Sequence, residues 1–405
     1  MIKLLKDILN NQLYAISLYA RQIAGALILF VIARYLSVYD FGLFSSYKNI
    51  AVFWFMFANF GFSDYILVSS KANVNEVRLK ISLFLSNAVL VAFLIGFGST
   101  FFKFEDHFLF WLVVIRTFFD GTFFGLVLPY FQAAKKFNQI AIINIIYAVC
   151  ITIIALISYI FKLSLVDFLI LNIILGFINF IQCSYLAKIN YLLVFKYIKR
   201  FFKMIDKSIF AYIGVTIAYY LYAQIPALYV STFIQKEQAA LYFSSATIAA
   251  VIGLLIAAQT QKMVPEMIKC SIEETKTVIK KNLIFILVVT SGIFLFMVIF
   301  GKFLLQLLYG QDYYTNAYPI LLILTLGNIC VGEAAVYGAY ITASGNQKRK
   351  IPMQLESTII TFIALFLLHK YGIYGASISF LLAAIYISYR YTSFTLKVLN
   401  NGGNS

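Results

Sequence analysis

The chain is poor in the residues that a soluble, disulfide-stapled or metal-dependent protein is built from. Only 12% of its residues are charged, against about 25% in soluble domains, so water cannot be the solvent of most of it. Four cysteines in 405 residues are too few for a disulfide framework. Cys150, Cys183 and Cys330 lie inside apolar runs and Cys270 in a basic loop, with no C-x-x-C or Cys/His spacing. The two histidines, His107 and His369, are far apart, which leaves no zinc ligand set. With 18% aromatic residues and only 5 prolines, no low-complexity polar tract remains to be disordered. The loops hold no Walker A, G-x-S-x-G, H-E-x-x-H or paired-carboxylate motif and no room for an ATPase domain. A transporter without a cofactor, driven by a gradient or by substrate supply, is expected rather than an enzyme.

Apolar sequence fills the space: 62% of residues are hydrophobic and the mean hydropathy is +0.89. A spanning helix needs roughly 20 apolar residues. Runs of that length fall near 12–35, 49–69, 81–102, 107–131, 139–161, 165–187, 209–233, 240–263, 282–308, 317–344, 352–369 and 373–396. The predicted fold class is an all-α polytopic membrane protein of about 12 transmembrane helices. The net charge of +16 would hint at nucleic acid in a soluble protein, but here it is sorted by side. Alternate loops, together with the two ends, carry 22 Lys and Arg, against 7 in the other loops. Cytoplasmic loops hold the positive excess, so both termini are expected in the cytoplasm, the protein in a bacterial inner membrane, and its surroundings lipid rather than nucleic acid. Lys3 and Lys6 ahead of the first run resemble a signal-peptide n-region, but the run is long and lacks a cleavage pattern, so an uncleaved helix is expected.

The sixth loop sets Lys196, Lys199, Arg200, Lys203 and Lys207 on one helical face and Phe195, Ile198, Phe202, Ile205 and Ile209 on the other. This pattern predicts a basic amphipathic helix lying on the inner leaflet. It divides the chain into a six-helix lobe at 1–187, a linker at 188–208 and a second six-helix lobe at 209–405. Three correspondences support an internal repeat: FGLFSS at 41–46 with AALYFS at 239–244, YFQAAKK at 130–136 with YITASGN at 340–346, and the loops around Lys162 and Lys370. Their offsets are nearly constant, as expected of two parallel repeats.

Arg34-Tyr35-Leu36 followed by Asp40-Phe41-Gly42-Leu43-Phe44-Ser45 resembles the element after the first helix of polysaccharide-biosynthesis membrane proteins. These are the O-antigen flippases of the superfamily that also holds multidrug/toxin extruders and lipid II flippases. Leu241-Tyr242 with Pro265, and Gly372 with Gly375-Ala376, are similar to later elements of that family. Ser37 departs from it, standing where the family usually has glycine. The resemblance implies two bundles around a central cavity and transfer of undecaprenyl-diphosphate-linked oligosaccharide to the periplasmic leaflet. A glycan polymerase or chain-length regulator would be the protein partner. A multidrug/cation antiporter is the alternative within the superfamily. A glycan polymerase is the alternative outside it, disfavoured by the short loops on the periplasmic side.

Ionisable groups inside apolar spans cost about 2.5–3.5 kcal/mol each on insertion scales, which singles them out. Arg21, with Tyr14, Ser17 and Gly25 on its face, is either a guanidinium for the substrate diphosphate or one half of a structural ion pair. Arg116 and Asp120, four residues apart, either neutralise each other or act separately, Arg116 beside Arg21 on substrate and Asp120 on a coupling ion. Glu333, with Tyr337 and Tyr340 on its face and Asn328 before it, is a candidate coupling site or a packing residue. Asp64 is a further acid, near the inner end of the second span, and Arg390 is expected to snorkel. Tyr212, Tyr219, Tyr222 and Tyr229 stripe the seventh span, either as sugar-stacking rings or as packing. Pro226 among them is a candidate hinge.

Overall fold

Lipid offers no hydrogen bonds, so a chain this apolar must satisfy its backbone within helices or a closed barrel. The computed structural model describes residues 17, 20–21, 23–59, 65–66, 73–81, 85, 91, 94–95, 104–119, 124–134, 136–189, 209–267, 270–311 and 313–400. Among these residues the chain is helical, with no strand. The contacts divide the chain into two compact units, Met1–Ile213 and Gly214–Ser405.

In the first unit we label α1 Ile23–Tyr35, α2 Val38–Asn59, α3 His107–Thr117, α4 Phe124–Ala133, α5 Phe137–Phe161 and α6 Leu165–Ala187. Helix α6 packs against α3, α4 and α5. In the second unit, α7 is Ile209–Phe233, α8 Lys236–Ala249, α9 Val251–Met267, α10 Ile272–Tyr309, α11 Tyr314–Ala343, α12 Lys350–Leu368 and α13 Gly372–Asn400. Helix α11 is its hub, packed against α8, α9, α10 and α13. Among the described residues, six segments are long and apolar enough to cross a membrane. Helix α10, at 38 residues, is roughly 57 Å long and outruns a hydrocarbon core of about 30 Å. Its first turns, with Glu273, Glu274, Lys276, Lys280 and Lys281, extend beyond the apolar stretch.

The buried core is largely apolar, yet several polar side chains lie within it while large apolar ones face outward. On α5, Asn144 and Ser158 are fully buried while Ile142, Ile146, Ile153 and Ile160 are exposed. On α6, Asn172 and Asn179 are buried while Ile174, Ile178 and Ile181 are exposed. Apolar side chains facing outward and amides facing inward are the arrangement that a lipid solvent selects.

One expected single span is broken in two: that near 240–263 becomes α8 and α9, and Asn328 of α11 donates its Nδ2 to the Ala249 carbonyl at that break (3.3 Å). A carbonyl freed at a helix end needs such a donor inside a membrane, which assigns Asn328 a structural task. In the span near 107–131, α3 passes into a π-type turn at Phe118 and Phe119, and the Phe119 side chain lies within 2.8 Å of a Cβ built at Gly176 of α6. Residues 120–123, most of the expected span at 81–102 and most of the amphipathic linker (190–208) lie outside the described residues.

The repeat has a hydrogen-bond basis. Helix α2 starts at Val38 and α8 at Lys236, an offset of 198, and their first bonds correspond: Phe41 N–H to Ser37 O (3.0 Å) and Ala239 N–H to Gln235 O (2.9 Å). Ser37, where the family usually has glycine, accepts the Asp40 N–H on its hydroxyl (3.0 Å), a side-chain N-cap that Gln235 does not supply. The ends of α4 and α11 also match: Ala134 N–H to Tyr130 O and Lys136 N–H to Phe131 O in one, Ser344 N–H to Tyr340 O and Asn346 N–H to Ile341 O in the other. The two family glycines before and within α13 have separate reasons. Gly372 has φ +55°, and a Cβ on Gly375 would stand 2.1 Å from the Leu368 carbonyl oxygen.

Candidate functional site

Arg21 is helical and half-buried on the first span, one turn after Ser17. Its Nη1 donates to Asn144 Oδ1 of α5 at 3.3 Å, and its guanidinium carbon lies 4.1 Å from the Tyr147 ring centroid. Asn144 Nδ2 in turn donates to Ser17 Oγ at 3.4 Å. Arg21 is also close enough to act electrostatically on Cys183 of α6. One amide and one aromatic face, three residues apart on α5, fix the plane of the guanidinium. Asn144 and Tyr147 escape the sequence reading because they look like ordinary members of an apolar run. The cue available was Asn144 as an amide at a position that lipid would penalise.

Arg116 lies in the last turn of α3, 6% exposed, with its guanidinium carbon 5.4 Å from the Phe44 ring of α2 and 5.6 Å from the Phe168 ring of α6. Phe168 and Cys183 are fifteen residues apart on α6, or about 22 Å along its axis. The two arginines therefore occupy different levels of the first unit. Arg116 is near the end that holds the Lys162 turn, and Arg21 is nearer the end that leads into the 188–208 segment. The arginines meet α6 about four turns apart. Asp120, the expected partner of Arg116, and Asp64 lie outside the described residues.

In the second unit Glu333 is half-buried on α11, close enough to Cys330 and Tyr337 to act on both electrostatically. Tyr337 and Tyr340 are buried, as is Tyr222 of α7 in the same apolar cluster. Tyr222 thus packs within the apolar core of the second unit. Tyr219 is 43% exposed and packs edge-on against Tyr222 (5.5 Å), and Tyr229 donates to the His369 carbonyl at 3.3 Å. The sequence stripe is therefore divided by a curved helix environment into one accessible ring and several anchored ones. The Tyr212 side chain is outside the described set. Pro226 is buried inside α7, which runs on as one helix through it.

Arg390 does not simply snorkel. It pairs with Glu356 of α12, and Tyr386 bridges them, donating to Glu356 Oε2 at 2.9 Å while accepting from Arg390 Nη1 at 3.0 Å. Glu356 is a carboxylate inside an apolar span, the same signal that picked out Glu333, and the α12–α13 contact gives it a partner that sequence separation conceals. Among the described residues no group of His, Cys, Asp and Glu is suited to hold a metal.

No family model matches the sequence, and no curated protein does. Solved structures do match the fold over nearly the whole chain. One is a MOP superfamily transporter from Pyrococcus furiosus whose binding pocket has reverse polarity, suggesting a different function. It is 12% identical with a TM-score of 0.61, covering 99% of this chain and 97% of that one. A MATE transporter from Vibrio cholerae is 13% identical with a TM-score of 0.60, covering 98% and 96%. An outward-facing multidrug resistance MATE family transporter is 12% identical with a TM-score of 0.55, covering 98% and 94%. The chain therefore has the polytopic, all-helical fold of the MATE-type transporters of the MOP superfamily.

Proposed function

We propose that this protein is a multi-pass transporter that moves an undecaprenyl-diphosphate-linked oligosaccharide across a bacterial inner membrane by alternating access of its two halves. The observation that carries this reading is Arg21, a permanent cation inside the first span whose guanidinium plane is set by Asn144 and Tyr147. A planar, forked donor held in one orientation suits the oxygens of a diphosphate. Arg116, further along the same unit, supplies a second cationic level for an anion in transit. The excess of cations on one set of loops supports cytoplasmic termini. Glu333 is the candidate for a coupling ion, with the accessible Tyr219 as a ring for the glycan.

A multidrug/cation antiporter is the second reading, favoured by the multidrug transporters among the structures of the same fold. The Pyrococcus furiosus protein supports separating the two by the sign of the site, since its reverse-polarity pocket is taken there to suggest a different function. The test is Arg21→Ala as the only copy of this protein in its native host, beside a strain that lacks the protein. Glycan display should fall by at least about tenfold, the value of one lost charge-assisted contact, with the membrane level of the protein unchanged. Arg21→Lys should restore part of it. Unchanged glycan with altered export of cationic dyes would establish the antiporter instead.

A further inference from the structure

At the end of the first unit that leads into the 188–208 segment, a cavity of about 570 Å³ opens beside the last two turns of α6. Its upper rim carries Lys136, the residue before α5, and Lys188, the residue after α6. Ser184 lines it with a buried hydroxyl that has no hydrogen-bond partner. Phe180 and Ile181, two turns back along α6, and Ile189, next to Lys188, complete its apolar lining.

The rim is already crowded with positive charge. Lys136 Nζ and Arg78 Nη2 each donate to the one hydroxyl of Tyr130, both at 3.3 Å, so these two cations stand within about 7 Å of each other. Arg78 Nε is in turn fixed on the Ala187 carbonyl (3.0 Å). Like charges this close repel in a low dielectric unless an anion is shared between them. Among the described residues, Lys136 meets Tyr130 through both its hydroxyl and its ring face.

Polarity is also ordered along the helix axis. Lys188 stands just past the end of α6, and Phe180 lies eight residues earlier, or about 12 Å deeper. Ile181, half exposed, and Tyr185, 83% exposed, open the cavity sideways through the apolar flank of α6. A free phosphate would use only the rim, whereas a phospholipid would use its whole depth, headgroup at the lysines and acyl chain along Phe180 and Ile181.

We propose that this cavity binds an anionic phospholipid of the leaflet that meets the basic loops, its headgroup phosphate between Lys136 and Lys188. The proposal rests on the chain spanning a membrane and is independent of its cargo. A local probe tests it: Ile181→Trp in a background of Trp54→Phe and Trp111→Phe, reconstituted in bilayers containing brominated phosphatidylglycerol or brominated phosphatidylcholine. Quenching should favour phosphatidylglycerol. At about 1 kcal/mol for each cation near an anionic headgroup, Lys136→Gln and Lys188→Gln should each cut that preference about fivefold, and together about thirtyfold. Lys136→Arg with Lys188→Arg, which keeps the charge, should retain it and serves if the double glutamine variant fails to fold. Equal quenching by the two lipids, or an unchanged preference in the glutamine variants, would overturn the proposal. So would loss of the preference on adding millimolar inorganic phosphate at constant ionic strength, which would identify a soluble anion as the occupant.

Discussion

The two units are built on corresponding helix starts and ends, yet they treat buried charge in opposite ways. In the first, Arg21 and Arg116 are held by an amide and by aromatic rings from neighbouring helices. In the second, Arg390 is tied to Glu356 and Tyr386, and an acid, Glu333, stands on the hub helix. Among the described residues the first unit thus brings an amide and aromatic rings to its two intramembrane arginines, and the second brings a carboxylate and a tyrosine hydroxyl to its own.

The comparison breaks most visibly at the close helix contacts. A methyl group at Gly375 would meet the Leu368 carbonyl oxygen at 2.1 Å, whereas one at Gly176 would meet the Phe119 side chain at 2.8 Å. The carbonyl contact is the closer, and the Phe119 contact is to its Cβ, which moves only with its backbone, so Gly375→Ala should destabilise the second unit by about 3 kcal/mol or more and Gly176→Ala the first by about 2. Thermal unfolding in detergent reads both, and equal losses would show that the two contacts yield alike.

A smaller effect separates the two kinds of buried charge. A double-mutant cycle of Arg390→Met with Glu356→Gln should give a coupling of about 1 kcal/mol, in the range of side-chain bonds inside membrane bundles. Arg21→Gln with Arg116→Gln should be additive within about 0.5 kcal/mol, because the two lie on different levels of α6. Strong coupling between the arginines would place them in one site after all.

The smallest test concerns the matching starts of α2 and α8. Ser37→Ala should cost about 1 kcal/mol through its lost cap, and Gln235→Ser should gain up to about 1 kcal/mol by supplying the one that α8 lacks. A gain at Gln235 with no loss at Ser37 would mean that the Asp40 contacts, and not the serine hydroxyl, hold that turn.

Composition determined that this protein is a helical membrane protein, because a chain with so few charges can bury its backbone polar groups in lipid only by closing them within helices or a barrel, and its apolar runs have helical length. The repeat offsets were legible too, since the same turn chemistry recurs at corresponding positions. The rare charges could be found by the same rule: Arg21, Arg116 and Glu333 stand out wherever apolar residues surround them. Their partners could not. Asn144 lies 123 residues from Arg21, and Glu356 lies 34 residues from Arg390, and nothing local in a helix announces which other helix it will face. Only the tertiary structure broke the span near 240–263 at an interior turn, set Asn328 on the carbonyl at that break, turned Tyr222 into the core, and set the levels of Arg21 and Arg116 on α6 about four turns apart. Helix formation is decided by residues within a turn of one another, whereas a side chain's partner is decided by packing between elements distant in the chain.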